Sequence, residues 1–253
     1  MRITMLYDSP PSFLWNSHEL VGLGGSENCF INVALTLAKL GHNVRVYNRN
    51  DLGRVVAEPA ANLRWMSYDN WNLDEQSDVV YSLRFRHPFE LSINSTVRCL
   101  FLADTESVGL GKDVDEGRIN CVMSVSNWQK EKIQKEEDVP DENWIVASNG
   151  ISLDEFYSTR KATGRCLFTA TPERGLANLL NIWPKIRERF PLATLHVYSS
   201  FKGWGVSDED NELMCKDVYA QMRGMEEIGV TNFKHASVKQ IRQMVSGVQR
   251  RKK

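Results

Sequence analysis

Short apolar runs rich in β-branched residues alternate with amphipathic helical patterns along almost the whole chain of 253 residues. The first example is the strand pattern RITMLY at 2–7, followed by SENCFINVALTLAKLG at 26–41, where apolar residues recur at helical spacing up to a terminal glycine. NVRVYN at 43–48 reads as the next strand. Because this alternation is typical of βαβ units, it predicts an α/β fold built on parallel sheets.

The same alternation continues in two blocks. Further strands of the first block are predicted at 78–83, 96–102, 121–126 and 144–148, and those of the second block at 165–170, 193–200 and 230–235. Helices are predicted at 126–139, 174–190, 208–229 and 237–249. The first block therefore has about six or seven strands and the second only three, whereas a doubly wound nucleotide-binding domain usually has five or six.

A polar stretch, NGISLDEFYSTRKATG at 149–164, separates the two blocks and has the composition of a linker. We therefore expect an N-terminal Rossmann-like domain at 1–150, a linker at 151–164 and a partial C-terminal Rossmann-like domain at 165–253. A sheet that lacks strands exposes an edge and apolar faces. This predicts a homo-oligomer or a partner chain that covers the incomplete sheet.

Composition and charge narrow the partners and the location. The chain is 42% hydrophobic and 25% charged, as in an ordinary globular protein, and its net charge of −1 gives no general attraction to nucleic acid or to an anionic membrane. We find no run of 18 apolar residues and no signal-peptide pattern, so we expect a cytoplasmic protein. The five cysteines are scattered without metal-ligand spacing, which favours free thiols and predicts no metal site.

A glycine-rich stretch, GLGGSENCF at 22–30, is the first candidate anion site. Gly24 and Gly25 precede the first long helix, where glycine lets backbone N–H groups approach an anion and the helix N-terminus adds partial positive charge. The alternative interpretation is turn geometry alone. The loop after the first strand is too long for a dinucleotide fingerprint, and GxGG is not GxGxxG, so a nicotinamide cofactor is not predicted.

The stretch TATPERGL at 169–176 is the second candidate anion site. Pro172 comes before the expected helix start, and Arg174 and Gly175 fall in its expected first turn, where acidic residues are usual. One interpretation is that Arg174 and backbone N–H groups hold a diphosphate. The other is that Arg174 is a solvated side chain whose stem covers the turn. Sequence physics alone leaves the two interpretations balanced.

Ionisable residues also follow several predicted strands, at the end where an α/β sheet binds its ligands. Asp104, in FLADTES, could orient a hydroxyl or act as a base, or it could cap the next turn, and Glu106 allows the same interpretations. His87 and His235 lie at strand-to-loop junctions and are weaker candidates. His196 lies inside a predicted strand and is expected to be a half-buried structural residue.

Three stretches then combine into a longer pattern, GGSENCF…VRVY at 24–47, VMSVSNWQ…LDEF at 122–156 and TATPERG…YSSF at 169–201. In order and spacing they resemble the retaining GT-B glycosyltransferases of family four, over nearly the whole chain. The resemblance implies two Rossmann-like domains that face each other across a cleft. It also implies that the sugar nucleotide lies mainly on the C-terminal domain and the acceptor on the N-terminal domain.

The resemblance assigns roles to individual residues. The implied contacts with the donor diphosphate are made by Gly24, Gly25, Arg174 and Gly175. Ser199, Ser200 and His235, in YSSF and KHAS, fall where loops of the second domain border the nucleotide. The family commonly has a histidine at the position of Ala103, and the neighbouring Asp104 is expected to face the acceptor as a catalytic residue.

The implied activity is transfer of a sugar, with retention, from a nucleotide-diphosphate sugar of the UDP or GDP type to a hydroxyl of a carbohydrate acceptor. No metal or other cofactor is implied, because arginine and helix N-termini can stabilise the charge of the departing diphosphate. The family's glutamate-rich segment, which grips the donor sugar, is expected after VKQIRQMV at 238–245 and is not found. We therefore expect a truncated C-terminal domain, with a non-catalytic or degenerate GT-B-fold binding or assembly subunit as the alternative function.

Overall fold

The structure is a computed structural model that describes residues 1–10, 12–17, 23–150 and 163–233. The described chain forms two compact units, one built on an eight-stranded sheet and the other on a three-stranded sheet. The predicted linker at 151–164 falls outside the described residues except for its last two positions. Within the described ranges, no helix is both long and apolar enough to span a bilayer.

The first unit carries most of the strands. They are β1 (Arg2–Tyr7), β2 (Asn43–Asn48), β3 (Ala57–Ala60), β4 (Leu63–Ser67), β5 (Ser77–Leu83), β6 (Ser95–Phe101), β7 (Cys121–Ser124) and β8 (Trp144–Val146). Their order in the sheet is β3-β4-β2-β1-β5-β6-β7-β8. All neighbours are parallel except β3, which runs antiparallel to β4, so the expectation of a purely parallel sheet is wrong at this edge.

The sheet order places a topological switch point at its centre. From β1 the chain moves to β2 on one side and later returns to β5 on the other side. Open α/β sheets bind ligands outside the carboxyl ends of the strands at such a point. The loops that follow β1, β2, β5 and β6 are therefore the part of the first unit where a site is expected.

Three helices belong to the first unit, α1 (Gly25–Lys39), α2 (Leu110–Asp115) and α3 (Asn127–Gln134). Helix α1 buries Phe30, Ile31, Ala34 and Ala38, which lie on one face at helical spacing, and it contacts β2 and β4. Ser126 caps α3 by accepting a hydrogen bond from the backbone N–H of Gln129, as its sequence position predicts.

The second unit contains β9 (Arg165–Phe168), β10 (Thr194–Val197) and β11 (Val230–Asn232), all parallel, in the order β11-β10-β9. Its helices are α4 (Leu176–Arg189), α5 (Asp208–Met214) and α6 (Lys216–Arg223). Leu176, Leu180 and Trp183 form the buried face of α4. The three strands predicted for this block are confirmed.

The single helix predicted at 208–229 is wrong, because the segment breaks at Cys215 into α5 and α6 and ends in a 3-10 turn at Glu226–Ile228. Cys215 is fully buried and leaves helical geometry, with φ −98° and ψ 3°. The break lets the amphipathic α6 bury Tyr219 and Met222 against the sheet, whereas α5 is mostly solvent-exposed.

Candidate functional site

The loop that follows β5 reads Arg-Phe-Arg-His and lies at the carboxyl edge of the first sheet. Arg84 has a φ of +76° and is the one residue other than glycine with a positive φ in the described part of the chain. This conformation is unfavourable for arginine and is usually held by surrounding contacts. The backbone N–H of Arg84 donates to the carbonyl of Phe101 at 2.8 Å, and the Ser82 hydroxyl donates to the carbonyl of Phe85 at 2.6 Å.

The strained backbone directs Arg84 toward Asp104, the predicted acceptor-side residue. Arg84 Nε lies 2.6 Å from Asp104 Oδ2, and Nη2 lies 2.9 Å from Oδ1, so the pair is bidentate. The carbonyl of Asp104 accepts a hydrogen bond from Gln129 Nε2 at 2.7 Å, which fixes the backbone at this position. The Asp104 carboxylate is half-exposed and therefore reachable by ligand, but both of its oxygens already accept hydrogen bonds from Arg84.

A second acidic residue lies close to this ion pair. Glu27, in the first turn of α1, is buried and accepts a hydrogen bond from the hydroxyl of Tyr7 at the end of β1. Burial raises the pKa of Tyr7 well above its ordinary value, the hydrogen bond to Glu27 adds to the rise, and the charge of Arg84 opposes it. Glu27 is not among the residues that the sequence predicted for a site.

Gly25 begins α1 next to Glu27. Its φ is not positive, and a Cβ built at Gly25 would meet no described atom within 4 Å. Neither backbone strain nor packing therefore requires glycine at this position. Gly24 immediately precedes the helix. The described chain resumes at residue 23, after residues 18–22.

A further polar cluster connects the loops after β1, β2 and β5. Asp8 Oδ2 lies 3.0 Å from His87 Nε2, and Asp8 Oδ1 lies 2.7 Å from Arg49 Nε. The side chain of Asp8 is only 14% exposed, against 45% for His87 and 60% for Arg49. Tyr68 lies beside the cluster, where burial and then the charge of Asp8 raise its pKa to about 12. A carboxylate that holds a half-exposed imidazole is an arrangement suited to proton transfer.

Arg86 anchors the same loop in a different direction. Its guanidinium donates to the buried carboxylate of Asp113 in α2 and to the carbonyls of Gly109 and Val108. Arg118 also pairs with Asp113, at 2.9 Å. These contacts fix the loop, so Arg84 and His87 are held in place from both sides.

In the second unit, the predicted turn lies at the carboxyl end of β9. Pro172–Arg174 form a 3-10 turn, and Gly175, with a φ of +100°, ends that turn and is the N-cap of α4. Arg174 and Gly175 are therefore not in the first turn of the helix, as the sequence predicted, but immediately before it. The left-handed glycine is the reason, because it interrupts the helical backbone between Arg174 and Leu176.

Arg174 is accessible in this position. Its side chain is 70% exposed, and the nearest acidic oxygen is Glu173 Oε1 at 3.6 Å. Helix α4 has no side-chain cap and no acidic residue in its first turn, and the backbone N–H of Gly175 donates to the carbonyl of Pro172. A 14-residue helix therefore directs its uncapped positive end toward the loop that carries Arg174.

Ser199 and Ser200 follow β10 at the same edge and are both buried. The hydroxyl of Ser199 donates to the carbonyl of Ala170 at 2.6 Å, and its carbonyl accepts from the hydroxyl of Tyr219 at 3.1 Å. Ser199 thus joins the loops after β9 and β10 instead of presenting a free hydroxyl. His235 lies outside the described residues.

The other predicted features can be placed as well. His196 is half-buried, as expected, and its ring packs on Phe233 with 5.2 Å between ring centres. Burial and then the charge of Arg165 lower its pKa. Among the described residues, no group of three or more His, Cys, Asp or Glu side chains is arranged to hold a metal ion.

No protein-family model and no curated protein matches the chain. Among solved structures, it is similar to WaaG, a glycosyltransferase involved in lipopolysaccharide biosynthesis, with a TM-score of 0.56 and 15% sequence identity, over 96% of this chain and 72% of that one. A weaker likeness is to TarM, with a TM-score of 0.42 and 13% identity, over 64% of this chain and 34% of that one. The likeness to WaaG confirms the predicted α/β, GT-B-like fold.

Proposed function

We propose that this chain is a glycosyltransferase that moves a sugar, with retention, from a nucleotide-diphosphate donor of the UDP or GDP type to a hydroxyl of a carbohydrate acceptor. The fold is that of WaaG, which is a glycosyltransferase. A shared fold hosts many functions, so the proposal rests on the sites. The observation that carries it is the exposed Arg174 in front of the uncapped N-terminus of α4.

The donor end of the reaction has a clear electrostatic requirement. When the bond to the sugar breaks, negative charge develops on the departing diphosphate, and fixed cations and N–H groups aimed at it lower the barrier. We propose that Arg174, Gly175 and the first N–H groups of α4 provide this stabilisation, so that no metal cofactor is needed. Ser199 and Ser200 shape the neighbouring loop, and His235 is proposed to border the nucleotide.

The acceptor end is proposed to lie at the switch point of the first sheet. Asp104, fixed by Arg84 and Gln129, offers carboxylate lone pairs at the edge where such sheets bind ligands. In our proposal this carboxylate accepts a hydrogen bond from a hydroxyl of the acceptor. Gly24 and Gly25 are proposed to let backbone N–H groups approach a phosphate group of the donor.

The proposal is tested by replacing Arg174. We expect Arg174→Ala to weaken the binding of UDP or GDP, whichever binds the wild type, by about 1 to 3 kcal/mol, because a charge-assisted hydrogen bond is lost. This corresponds to a Kd roughly 5- to 150-fold higher, measured by titration calorimetry. Transfer from a panel of UDP-, GDP- and ADP-sugars to carbohydrate acceptors is measured with the same two proteins.

Arg189→Ala is the matched control, because Arg189 is exposed and carries the same charge at the other end of α4. Its Kd should equal that of the wild type. Unchanged diphosphate binding in Arg174→Ala would remove the donor assignment. A wild-type protein that binds nucleotides but transfers no sugar would instead favour the non-catalytic binding subunit.

A further inference from the structure

Two cysteines lie side by side on neighbouring strands of the first sheet. Cys99, in β6, pairs in register with Cys121, the first residue of β7. Side chains paired in this way point to the same face of a sheet, and neighbouring strands lie about 4.8 Å apart. A disulfide spans about 4.4 to 6.8 Å between its Cα atoms, so the backbone already has the spacing that a disulfide between Cys99 and Cys121 needs. All five cysteines are free thiols in this structure.

Solvent reaches one of these two thiols far more easily than the other. Cys99 is only 4% exposed. On its other side lies Tyr81 of β5, in register with it, and the ring of Tyr81 packs on Phe30 of α1 and on Phe101. Cys121 is half-buried, because it begins its strand at the amino edge of the sheet. A small oxidant in solution therefore meets Cys121 first.

The two thiols share a hydrogen bond that affects them unequally. Cys99 donates to the thiolate form of Cys121 and lowers the pKa of that thiol, although partial burial opposes the change. The pKa of Cys99 is raised, first by the same hydrogen bond and then by burial. The thiolate, and not the thiol, is the nucleophile of cysteine chemistry. The sulfur that solvent reaches is therefore also the more reactive one, and a protonated thiol lies directly beside it.

Cys29, in the first half of α1, is a third cysteine on this side of the sheet. Burial raises the pKa of Tyr81, and Cys29 and Cys99 add to the rise, so both thiols lie close to its hydroxyl. Burial also raises the pKa of the Cys29 thiol, which favours its protonated form. Cys29 and Cys121 are both half-buried, but only Cys121 has its thiolate favoured by the hydrogen bond from Cys99. Of these two thiols, Cys121 is therefore the better nucleophile.

We propose that Cys99 and Cys121 form a redox-active dithiol, in which hydrogen peroxide oxidises Cys121 and Cys99 then closes a disulfide between β6 and β7. The thiolate sulfur of Cys121 attacks one peroxide oxygen, the O–O bond breaks, and hydroxide leaves and is protonated to water, so that Cys121 becomes a sulfenic acid. The sulfur of Cys99 attacks the sulfenic sulfur, the S–O bond breaks, and the departing hydroxide takes the thiol proton of Cys99 as a second water. Two thiols thus lose two electrons to the peroxide, and a dithiol reductant reverses the bond by thiol exchange.

The test oxidises the reduced full chain with hydrogen peroxide, digests it without reductant and maps the peptides by mass spectrometry. A peptide pair joined through Cys99 and Cys121 should appear, and dithiothreitol should remove it. In Cys99→Ala, the sulfenic acid of Cys121 has no partner and should be captured by dimedone. In Cys121→Ala, dimedone capture at Cys99 should be at least about tenfold lower than this, because Cys99 is buried and protonated.

Cys166→Ser is the control, since Cys166 is an exposed cysteine of β9 in the second unit, and this variant should still form the linked pair. The mapping of the wild type needs no variant, so it decides the pairing even if a substituted chain fails to fold. A disulfide between Cys99 and Cys29, or a sulfinic acid at Cys121 beside an unreacted Cys99, would overturn the proposal. So would a wild type that keeps both thiols while glutathione in the same solution is oxidised. The reaction uses neither donor nor acceptor, so its outcome is independent of the proposed function.

Discussion

A glycine can be needed for contact with a ligand or for backbone geometry, and at Gly25 these two reasons can be tested separately. It has no positive φ, and a Cβ would meet no described atom within 4 Å, so Gly25→Ala should leave the free energy of unfolding unchanged or raise it by up to about 1 kcal/mol. If backbone N–H groups at this position approach a phosphate, the same variant should bind donor more weakly. Chemical denaturation and calorimetry measure the two effects separately.

Gly175→Ala is the matched contrast. A Cβ there also meets no described atom within 4 Å, but the φ of +100° is unfavourable for alanine, so the variant should lose about 1 to 2 kcal/mol of stability. Equal stability losses in both variants would contradict the distinction. Unchanged donor binding in Gly25→Ala would contradict the proposed phosphate contact at this position.

The contacts around these residues show what the sequence could not reveal. Asp104 was predicted from its position after a strand, which needs only the local pattern and the rule for parallel sheets. Its partner Arg84 is twenty positions away and turns toward it only through a left-handed backbone that no local propensity predicts for arginine. The pairing of Asp8 with His87 depends in the same way on which strands become neighbours.

Among the elements, prediction succeeded where periodicity was long or the apolar run was strong. Helix α1 extends over fifteen residues with a clear apolar face, and its observed ends lie within two residues of the predicted ones. Strands β3 and β4 were missed because their sequences, AEPA and LRWMS, contain no β-branched residue, and helix α2 was missed because six residues are too few to show a helical period. The burial of Trp65 in β4, whose indole bonds Asn48, comes from tertiary packing.

The break between α5 and α6 has its own polar support, which can be tested through Tyr219. The Tyr219 hydroxyl donates to the Ser199 carbonyl at 3.1 Å and lies 3.2 Å from Asn211 Nδ2. Tyr219→Phe should therefore cost about 1 to 3 kcal/mol, because it leaves buried polar groups without this partner. Tyr198→Phe is the control, since no described residue bonds that hydroxyl. If the free energies of unfolding of the two variants differ by less than about 0.5 kcal/mol, the hydrogen bonds of the Tyr219 hydroxyl do not stabilise this region as proposed.

Alkaline unfolding gives a second measurement on the same tyrosine. Burial raises the pKa of Tyr219 to about 12, whereas an unfolded tyrosine titrates near 10. Between these values the unfolded chain binds fewer protons than the folded one, so this stabilisation is complete below about pH 10 and is lost as the pH rises toward 12. Tyr219→Phe should lose less stability over this window than the wild type does.

At the scale of the whole molecule, the fold could be predicted from the sequence but the reaction could not be established. The α/β architecture follows from the alternation of strand and helix patterns along the sequence. The chain has the same fold as WaaG although the two sequences are only 15% identical. A ligand is selected by a few side chains on variable loops, and such residues are not fixed by the fold. Ligand linkage gives a direct way to test the proposed donor.

A nucleotide that binds the folded chain must raise its melting temperature. At a hundred times its Kd, a donor diphosphate should add about 2.7 kcal/mol, or roughly 5 to 10 °C for a protein of this size. We expect UDP or GDP to do so, and the corresponding monophosphate to have a much smaller effect, because the proposed contact is with the diphosphate. Arg174→Ala should need a higher concentration for the same shift, and Arg189→Ala should not. Equal shifts with mono- and diphosphate would show that the base is bound without the phosphate contact on which the proposed function depends.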